Sequence, residues 1–482
     1  MTDARPALLG TRYDQLARNT IDYWMQPDAP TLSERRLVEA VEHAPALPDA
    51  SLRLYLHVPY CAQRCRFCAF SGGNSLDWKQ AEDYATLLVR QLQNTWGRTA
   101  MRGQPIRSVN IGGGSPDLLG DSIDVVLEAV KALPGFGPDT DLGVEFTLAT
   151  VKPSFIDRLV AHGVSKVSFG VQSLNPVVRG YTRQPKTLVH LERVVEWLDG
   201  RIPIVNADLI TGLPGQTREG VAADLETLIA DPRVTAISSY LLTVGAAPAL
   251  VAAIDSGKTP AVPPPLDQAL MRLETYGAFR RSGWVRRGTN TYVDPRAVPQ
   301  RVLFRMAGDE CIGAASYETF LLGIGPQAVS SLPGVRLENL VDVAAWSNAV
   351  RRDTLPVCVS KCSTVHQRDM ALWTFPLRWE GLPRARWDAM QGALTPEQIS
   401  TFEALQHEGL VTASEDGFAL SLLGEVFMGQ LVRDLKSTDG RAAVDAYIAE
   451  GEALGHAASL GTAPDTNGLN NRQHAHRWLR RE

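Results

Sequence analysis

From Ser51 onward, short runs rich in β-branched and apolar residues alternate with longer stretches of helical periodicity. The β-rich runs are LRLYLHV (52–58), IRSVNIGG (106–113), LGVEFTLA (142–149), VSKVSFGV (164–171), IPIVNADLI (202–210) and VTAISSYLL (234–242). Between them lie amphipathic stretches such as WKQAEDYATLLVRQLQNTW (78–96) and KTLVHLERVVEWLDG (186–200). Strands alternating with helices predict a parallel sheet, because parallel neighbours need a long crossover connection. Six such units predict an α/β fold, a partial (β/α)6 barrel. In barrels of this kind the chemistry gathers at the C-terminal ends of the strands. Cys61, the Gly112–Gly114 run, Glu145 and Gln172 all fall at or just past expected strand ends, which predicts one shared site.

The flanks differ in pattern. Residues 1–50 read as an N-terminal helical extension, with Thr31 and Glu34 at capping-box spacing ahead of RRLVEAVEHA. The stretch TPAVPPPLDQ (259–268) reads as a linker or surface loop. Residues 51–355 are assigned to the barrel and its closing segment, and 356–482 to a C-terminal domain and tail. In that last region LTPEQISTFEALQHEGL, VTASEDGFALSLLG and a further amphipathic run predict helix, hairpin, helix, with Asp416-Gly417 at the hairpin turn. This is a winged-helix-type pattern.

Composition narrows the function class. A net charge of −5 does not advertise a nucleic-acid surface, and the basic end RQHAHRWLRRE reads as a solvated tail. FPLRWEGLPRARW mixes basic and aromatic residues but reads as a junction between the two folded parts. The N-terminus lacks the order of a signal peptide, and no apolar stretch approaches the roughly 20 residues that span a bilayer. The expectation is a cytoplasmic, monomeric protein without nucleic-acid or membrane partners. Its thiols are then reduced, and a tight cysteine cluster points to metal or catalysis.

Three of the six cysteines, Cys61, Cys65 and Cys68, stand at C-x-x-x-C-x-x-C directly behind the first β-rich run. A structural zinc site usually takes four ligands in paired groups, and no fourth partner is near. His57, just upstream, reads as a positioned strand-end residue. Three thiolates on a short loop suit three corners of a [4Fe–4S] cube, leaving one iron open to a ligand. The bland alternative is three buried, unliganded thiols. Cys358 and Cys362 form a second C-x-x-x-C, read as free thiols rather than part of an auxiliary cluster, with Cys311 distant in sequence.

The string HVPYCAQRCRFCAF, followed in order by NIGGGSP, VEFTL, KVSFGVQSLNPVVRGYTRQ, NADLITGLPGQT and LLGIGPQAVSS, resembles the radical S-adenosylmethionine (SAM) enzymes. The resemblance is to the HemN-like branch, around oxygen-independent coproporphyrinogen III dehydrogenase, and covers roughly residues 51–331. It implies a [4Fe–4S] cluster on Cys61, Cys65 and Cys68, with SAM chelating the open iron and yielding a 5′-deoxyadenosyl radical. It implies SAM contacts at Gly112, Gly113, Gly114, Ser115, Glu145, Gln172, Arg183 and Asp208, with Phe67 against adenine. Tyr60 and Tyr240 are expected on the substrate side. A flavodoxin- or ferredoxin-type electron donor is implied as well.

The chain departs from two members of that branch. The dehydrogenases carry an RYTSYPT-like stretch where this chain has TRYDQLARNTIDYW. The haem chaperones carry a His-Asn-x-x-Tyr-Trp motif where this chain has VPQRVLFRMAGDEC. The resemblance is therefore drawn to the class C methyltransferase and cyclopropanase members. These transfer a SAM-derived carbon to an unsaturated or aromatic small molecule and use two SAM molecules, the second expected near Phe67, Gly114, Ser115, Ile210 and Tyr240. The alternatives are radical chemistry on a tetrapyrrole and non-enzymatic haem carriage.

Overall fold

The computed structural model describes residues 38–39, 41–42, 51–68, 75–184, 189–242, 247–287, 290–299, 319–332, 335–361, 373, 377 and 381–442. Strands β1 (Ser51–Val58), β2 (Ile106–Gly113), β3 (Asp141–Phe146), β4 (Lys166–Gln172), β5 (Ile204–Thr211) and β6 (Ala236–Leu241) run parallel, each paired with the next. Helices α1 (Trp78–Arg98), α2 (Ile123–Lys131), α3 (Pro153–Ala161), α4 (Pro176–Tyr181), α5 (Val189–Leu198) and α6 (Arg218–Ala230) fill the crossovers. The fold is α/β, as the alternation of periods predicts.

The two faces of this sheet have opposite chemistry. Leu52, Leu54, Leu56 and Val58 of β1 share a core with Leu88 and Leu92 of α1, Val126 of α2 and Ile156 of α3. Each such side chain, fully buried, contributes roughly 1.5–3 kcal/mol. The alternate positions, Arg53, Tyr55 and His57, are on the other face and are also buried. In register with them stand Ser108, Asn110 and Gly112 of β2, then Gly143 and Glu145 of β3, Ser168 of β4, and Asn206 and Asp208 of β5. A closed (β/α)8 barrel fills this inner face with branched apolar residues. Here it is polar and glycine-rich.

Helix α1 begins at a capping box. Asp77 accepts from the Gln80 amide at 2.9 Å, and the Gln80 side chain accepts from the Asp77 amide at 3.0 Å. Its buried Gln91 reaches into the closing part of the sheet, where Oε1 accepts from the Gly325 amide at 2.7 Å and from Trp346 Nε1 at 2.8 Å.

Beyond β6 come α7 (Pro248–Asp255) and α8 (Pro265–Arg281). The Pro-rich stretch between them is not a free linker. Thr259 and Val262 are buried, and Val262 packs with Leu213, Leu242 and Leu250. Helix α8 places Met271 and Phe279 in the large core and Ala269 and Leu270 in a second one. Strands β7 (Val285–Arg286) and β8 (Thr291–Val293) then extend the sheet antiparallel beside β6. At the opposite edge β9 (Thr319–Ile324) pairs parallel with β1, followed by β10 (Val329–Leu332), β11 (Val335–Asn339), α9 (Val343–Arg351) and β12 (Val357–Lys361). The six expected strands thus sit inside a twelve-stranded sheet. A boundary at residue 356 cuts off β12, which pairs antiparallel with β11 in that sheet.

The second core surrounds a three-stranded sheet of β13 (Leu382–Pro383), β15 (Gly417–Leu420) and β14 (Val411–Ala413). Helices α10 (Arg384–Met390), α11 (Pro396–His407), α12 (Leu422–Val426) and α13 (Met428–Asp434) pack about it. Helix, hairpin and helix follow in the order that the sequence pattern predicts. Of the N-terminal extension only residues 38–39 and 41–42 are described; they are helical, and Val41 lies in the large core. The Thr31–Glu34 spacing lies outside the described residues, as do Cys311 and Cys362.

Candidate functional site

Cys61, Cys65 and Cys68 occupy the loop that leaves the C-terminal end of β1, and all three are half-buried. The loop is held from two sides. On one, Ser115 donates its amide to the Tyr60 carbonyl at 2.6 Å and Gly114 donates to the Val58 carbonyl at 2.7 Å. On the other, the Arg66 amide donates to the Thr182 carbonyl at 2.9 Å, Arg66 Nη1 to the Tyr181 carbonyl at 2.8 Å, and Gln63 Nε2 to the Arg183 carbonyl at 2.6 Å. Burial, then the Cys68 thiol, pushes the Cys61 thiol up to about 11. Burial, then Cys68 and Cys61, pushes Cys65 up to about 12. Thiols in such a setting become thiolates when a bound cation displaces their protons.

Among the described residues no three His, Cys, Asp or Glu side chains are grouped as a site for one metal ion. The three thiols follow one another along the loop at positions 61, 65 and 68. That spacing fits an iron–sulfur cluster, in which each thiolate binds its own iron.

Beside the loop, the glycine run closes β2. The Glu145 carboxylate on β3 accepts from the Gly113 amide at 3.0 Å and from Asn110 Nδ2 at 2.9 Å. A Cβ on Gly112 would lie 2.3 Å from the Glu145 carboxyl carbon, and Gly113, at φ 108°, leaves no room for one beside the His57 ring. Only glycine allows this approach. Ser115 is fully buried; its hydroxyl contacts Asp117 Oδ1 at 2.5 Å and Thr147 Oγ1 at 2.6 Å. Behind the run, Tyr55 OH meets His57 Nδ1 at 3.0 Å, and Tyr84 OH donates to the His57 carbonyl at 2.6 Å. Burial, then Glu145, holds the Tyr55 phenol well above its ordinary value.

The opposite wall comes from β4 to β6. Gln172 and Arg183 both take left-handed backbone conformations, at φ 64° and 58°. Such non-glycine strain clusters at ligand sites. Gln172 Oε1 is buried without a hydrogen-bond partner in the protein. Asp208 accepts from Ser168 Oγ at 3.0 Å and Asn206 Nδ2 at 2.8 Å, and Asn206 Oδ1 accepts from Ser238 Oγ at 3.1 Å. Phe67 and Ile210 pack on one apolar cluster with Val178, Leu213 and Leu250, and Ile210 pairs in register with Tyr240, which is exposed. Tyr60 meets Tyr84 edge-on at 5.1 Å, so its ring is partly engaged in the α1 face rather than standing alone at the mouth.

The residues named from sequence therefore gather at one end of the sheet. Sequence reasoning missed Asn110, Asp117, Tyr84, Arg66 and Arg179. Asn110 was legible two residues before Gly112, on the same face of a strand. Arg66, Tyr84 and Arg179 lie on helices or loops whose facing depends on packing.

A family model described as the radical SAM superfamily matches residues 55–228. The match covers the cysteine loop and the first five parallel strands, so this part of the chain is similar to that superfamily, whose cofactors are SAM and a [4Fe–4S] cluster. Among curated proteins the chain is similar to anaerobilin synthase of Escherichia coli O157:H7, 26% identical over 63% of this chain and 66% of that protein. It is similar as well to anaerobic coproporphyrinogen III oxidase 1 of Cereibacter sphaeroides, 25% identical over 83% of this chain and 91% of that protein. The solved coproporphyrinogen III oxidase (HemN) of Escherichia coli shares the fold, with a TM-score of 0.68 and 20% identity over 84% of this chain and 94% of that chain. These similarities are to radical SAM proteins of the HemN-like branch. Among the described residues no helix is long and apolar enough to cross a membrane.

Proposed function

We propose that this radical SAM enzyme transfers a SAM-derived carbon to an unsaturated or aromatic small molecule, by methylation or cyclopropanation. The observation that supports this reading is a second surface at the mouth. Glu145, Asn110 and the Gly113 amide make a polar anchor on β2 and β3. Ile210, packed on an apolar cluster with Phe67, stands in register with the exposed Tyr240 by β5 and β6. Two SAM molecules would use both.

In this reading Cys61, Cys65 and Cys68 hold the cluster. A bound cluster and SAM would supply one-electron cleavage of the sulfonium C–S bond, giving methionine and a 5′-deoxyadenosyl radical. Gly112, Gly113 and Gly114 let the backbone approach the methionine amino group, and Glu145 accepts from it. Arg183, exposed beside the loop, pairs the methionine carboxylate, for which a guanidinium offers two parallel hydrogen bonds. Gln172 and Asp208 take the ribose side, and Phe67 stacks on adenine. Gly114, Ile210 and Tyr240 line the second SAM, with Tyr60 and Tyr240 toward the substrate; Ser115, fully buried, holds the turn through its amide hydrogen bond to Tyr60 instead of lining the site. A reduced flavodoxin or ferredoxin is the electron source.

Tetrapyrrole chemistry is the second reading, favoured by the names of the relatives, which are an anaerobilin synthase and a coproporphyrinogen oxidase. Methyl-labelled SAM separates the two. The reduced holoenzyme with an accepted unsaturated substrate is expected to give both 5′-deoxyadenosine and S-adenosylhomocysteine, with label in the product. Substrate-dependent deoxyadenosine with carbon dioxide release and no label transfer would overturn carbon transfer in favour of oxidative decarboxylation; turnover of haem itself would assign ring opening.

A further inference from the structure

The three-thiol loop is bracketed by two buried side chains of opposite charge. On the Cys65 flank stands Arg179, on α4, 4% exposed. Its Nη1 donates to the Val171 carbonyl at 2.5 Å and to the Ser173 carbonyl at 2.9 Å. The same segment, at Tyr181 and Thr182, receives the Arg66 hydrogen bonds that seat the loop next to Cys65. On the Cys61 flank stands Asp117, 9% exposed, whose Oδ1 accepts from Ser115 Oγ at 2.5 Å and from the Thr147 amide at 3.2 Å. Ser115 in turn holds the Tyr60 carbonyl, next to Cys61.

We propose that Arg179 and Asp117 are positioning residues with a second task, setting from opposite sides how readily the cluster takes its electron. This rests on the cluster assignment to Cys61, Cys65 and Cys68. Reduction adds one electron from a one-electron donor to the oxidised cluster, with no proton and no bond broken, so the cluster gains one negative charge. A buried guanidinium beside it favours that charge, and a buried carboxylate opposes it, because charges in a low-dielectric interior interact strongly.

The test is a redox titration of reconstituted full-length protein, followed by the electron paramagnetic resonance of the reduced cluster. Arg179→Gln is expected to lower the reduced-to-oxidised ratio at a fixed potential about tenfold, equal to ~59 mV for a one-electron couple, and Arg179→Lys to restore it. Asp117→Asn, which keeps an acceptor for Ser115 and Thr147, is expected to shift the ratio the other way. Opposite shifts at full cluster content exclude a merely structural role. Unchanged potentials, or shifts of one sign in both variants, would overturn the proposal while leaving the cluster assignment standing. A native chain that assembles no cluster would overturn both. Should Arg179→Gln fail to fold, Arg179→Lys and Asp117→Asn decide: a native potential in the first with a raised one in the second supports the proposal.

Discussion

Glu145 and Gly113 are joined by a hydrogen bond from the glycine amide to the carboxylate, 3.0 Å long, across the β2–β3 boundary. It aims a carboxylate at the backbone of a turn that runs beside the cysteine loop. The contact exists only because neither Gly112 nor Gly113 carries a Cβ. Glu145→Ala is therefore expected to weaken SAM binding roughly tenfold or more while cluster content stays native, since a hydrogen bond to a charged group is worth about 1.5–3 kcal/mol. Asp208→Ala is expected to act likewise. Calorimetry on the holoproteins checks both, and native affinity in both would discard the mapping of SAM onto this end of the sheet.

Replacing Cys61, Cys65 or Cys68 by Ala is expected to abolish a stable cluster, because one iron loses its thiolate. Cys358→Ala is expected to keep it, since that thiol donates to the carbonyls of Glu338 and Asn339 in the β11–β12 region. Iron and sulfide analysis after anaerobic reconstitution reads the difference. Full cluster content in Cys65→Ala would remove the assignment.

Gln91→Leu is expected to lower thermal stability. It leaves the Gly325 amide and Trp346 Nε1 without their acceptor in the interior, and an unsatisfied buried group costs about 1–3 kcal/mol. Circular dichroism melts measure the loss. A native melting temperature would show that another acceptor replaces Gln91.

Asp353 sets an acid dependence. Arg90, and after it Asn94, hold its carboxyl down at about 2. A depressed carboxyl contributes stability above its unfolded value, about 3.9, and loses it as pH falls through the folded value. The stability gap between the native chain and Asp353→Asn is expected to be constant above about pH 5 and to close between about pH 4 and 2. Asn tolerates the left-handed backbone that Asp353 adopts, φ 55°. Chemical denaturation across that range tests it; a gap that persists at the acid end would mean the pair contributes no linkage.

The six parallel strands, the order of the C-terminal helix, hairpin and helix, and the end of the sheet at which the named residues gather are legible in the chain. The reason is local. Strand and helix periods are written in consecutive residues, and a residue at a strand end stays there however the sheet curves. The tertiary structure alone decided the rest. Strands β9 to β12 join the sheet through β1, from more than 250 residues away in the chain, and no local pattern reports a partner at that distance. The Pro-rich stretch looked like a linker because its composition suits one; Val262 is buried because Leu213 and Leu250 happen to face it. Arg179 and Asp117 read as ordinary charges along the chain, and only packing turns them inward beside the thiols. Burial is a property of the neighbours a residue meets in space, so it is settled after the local elements have formed and docked.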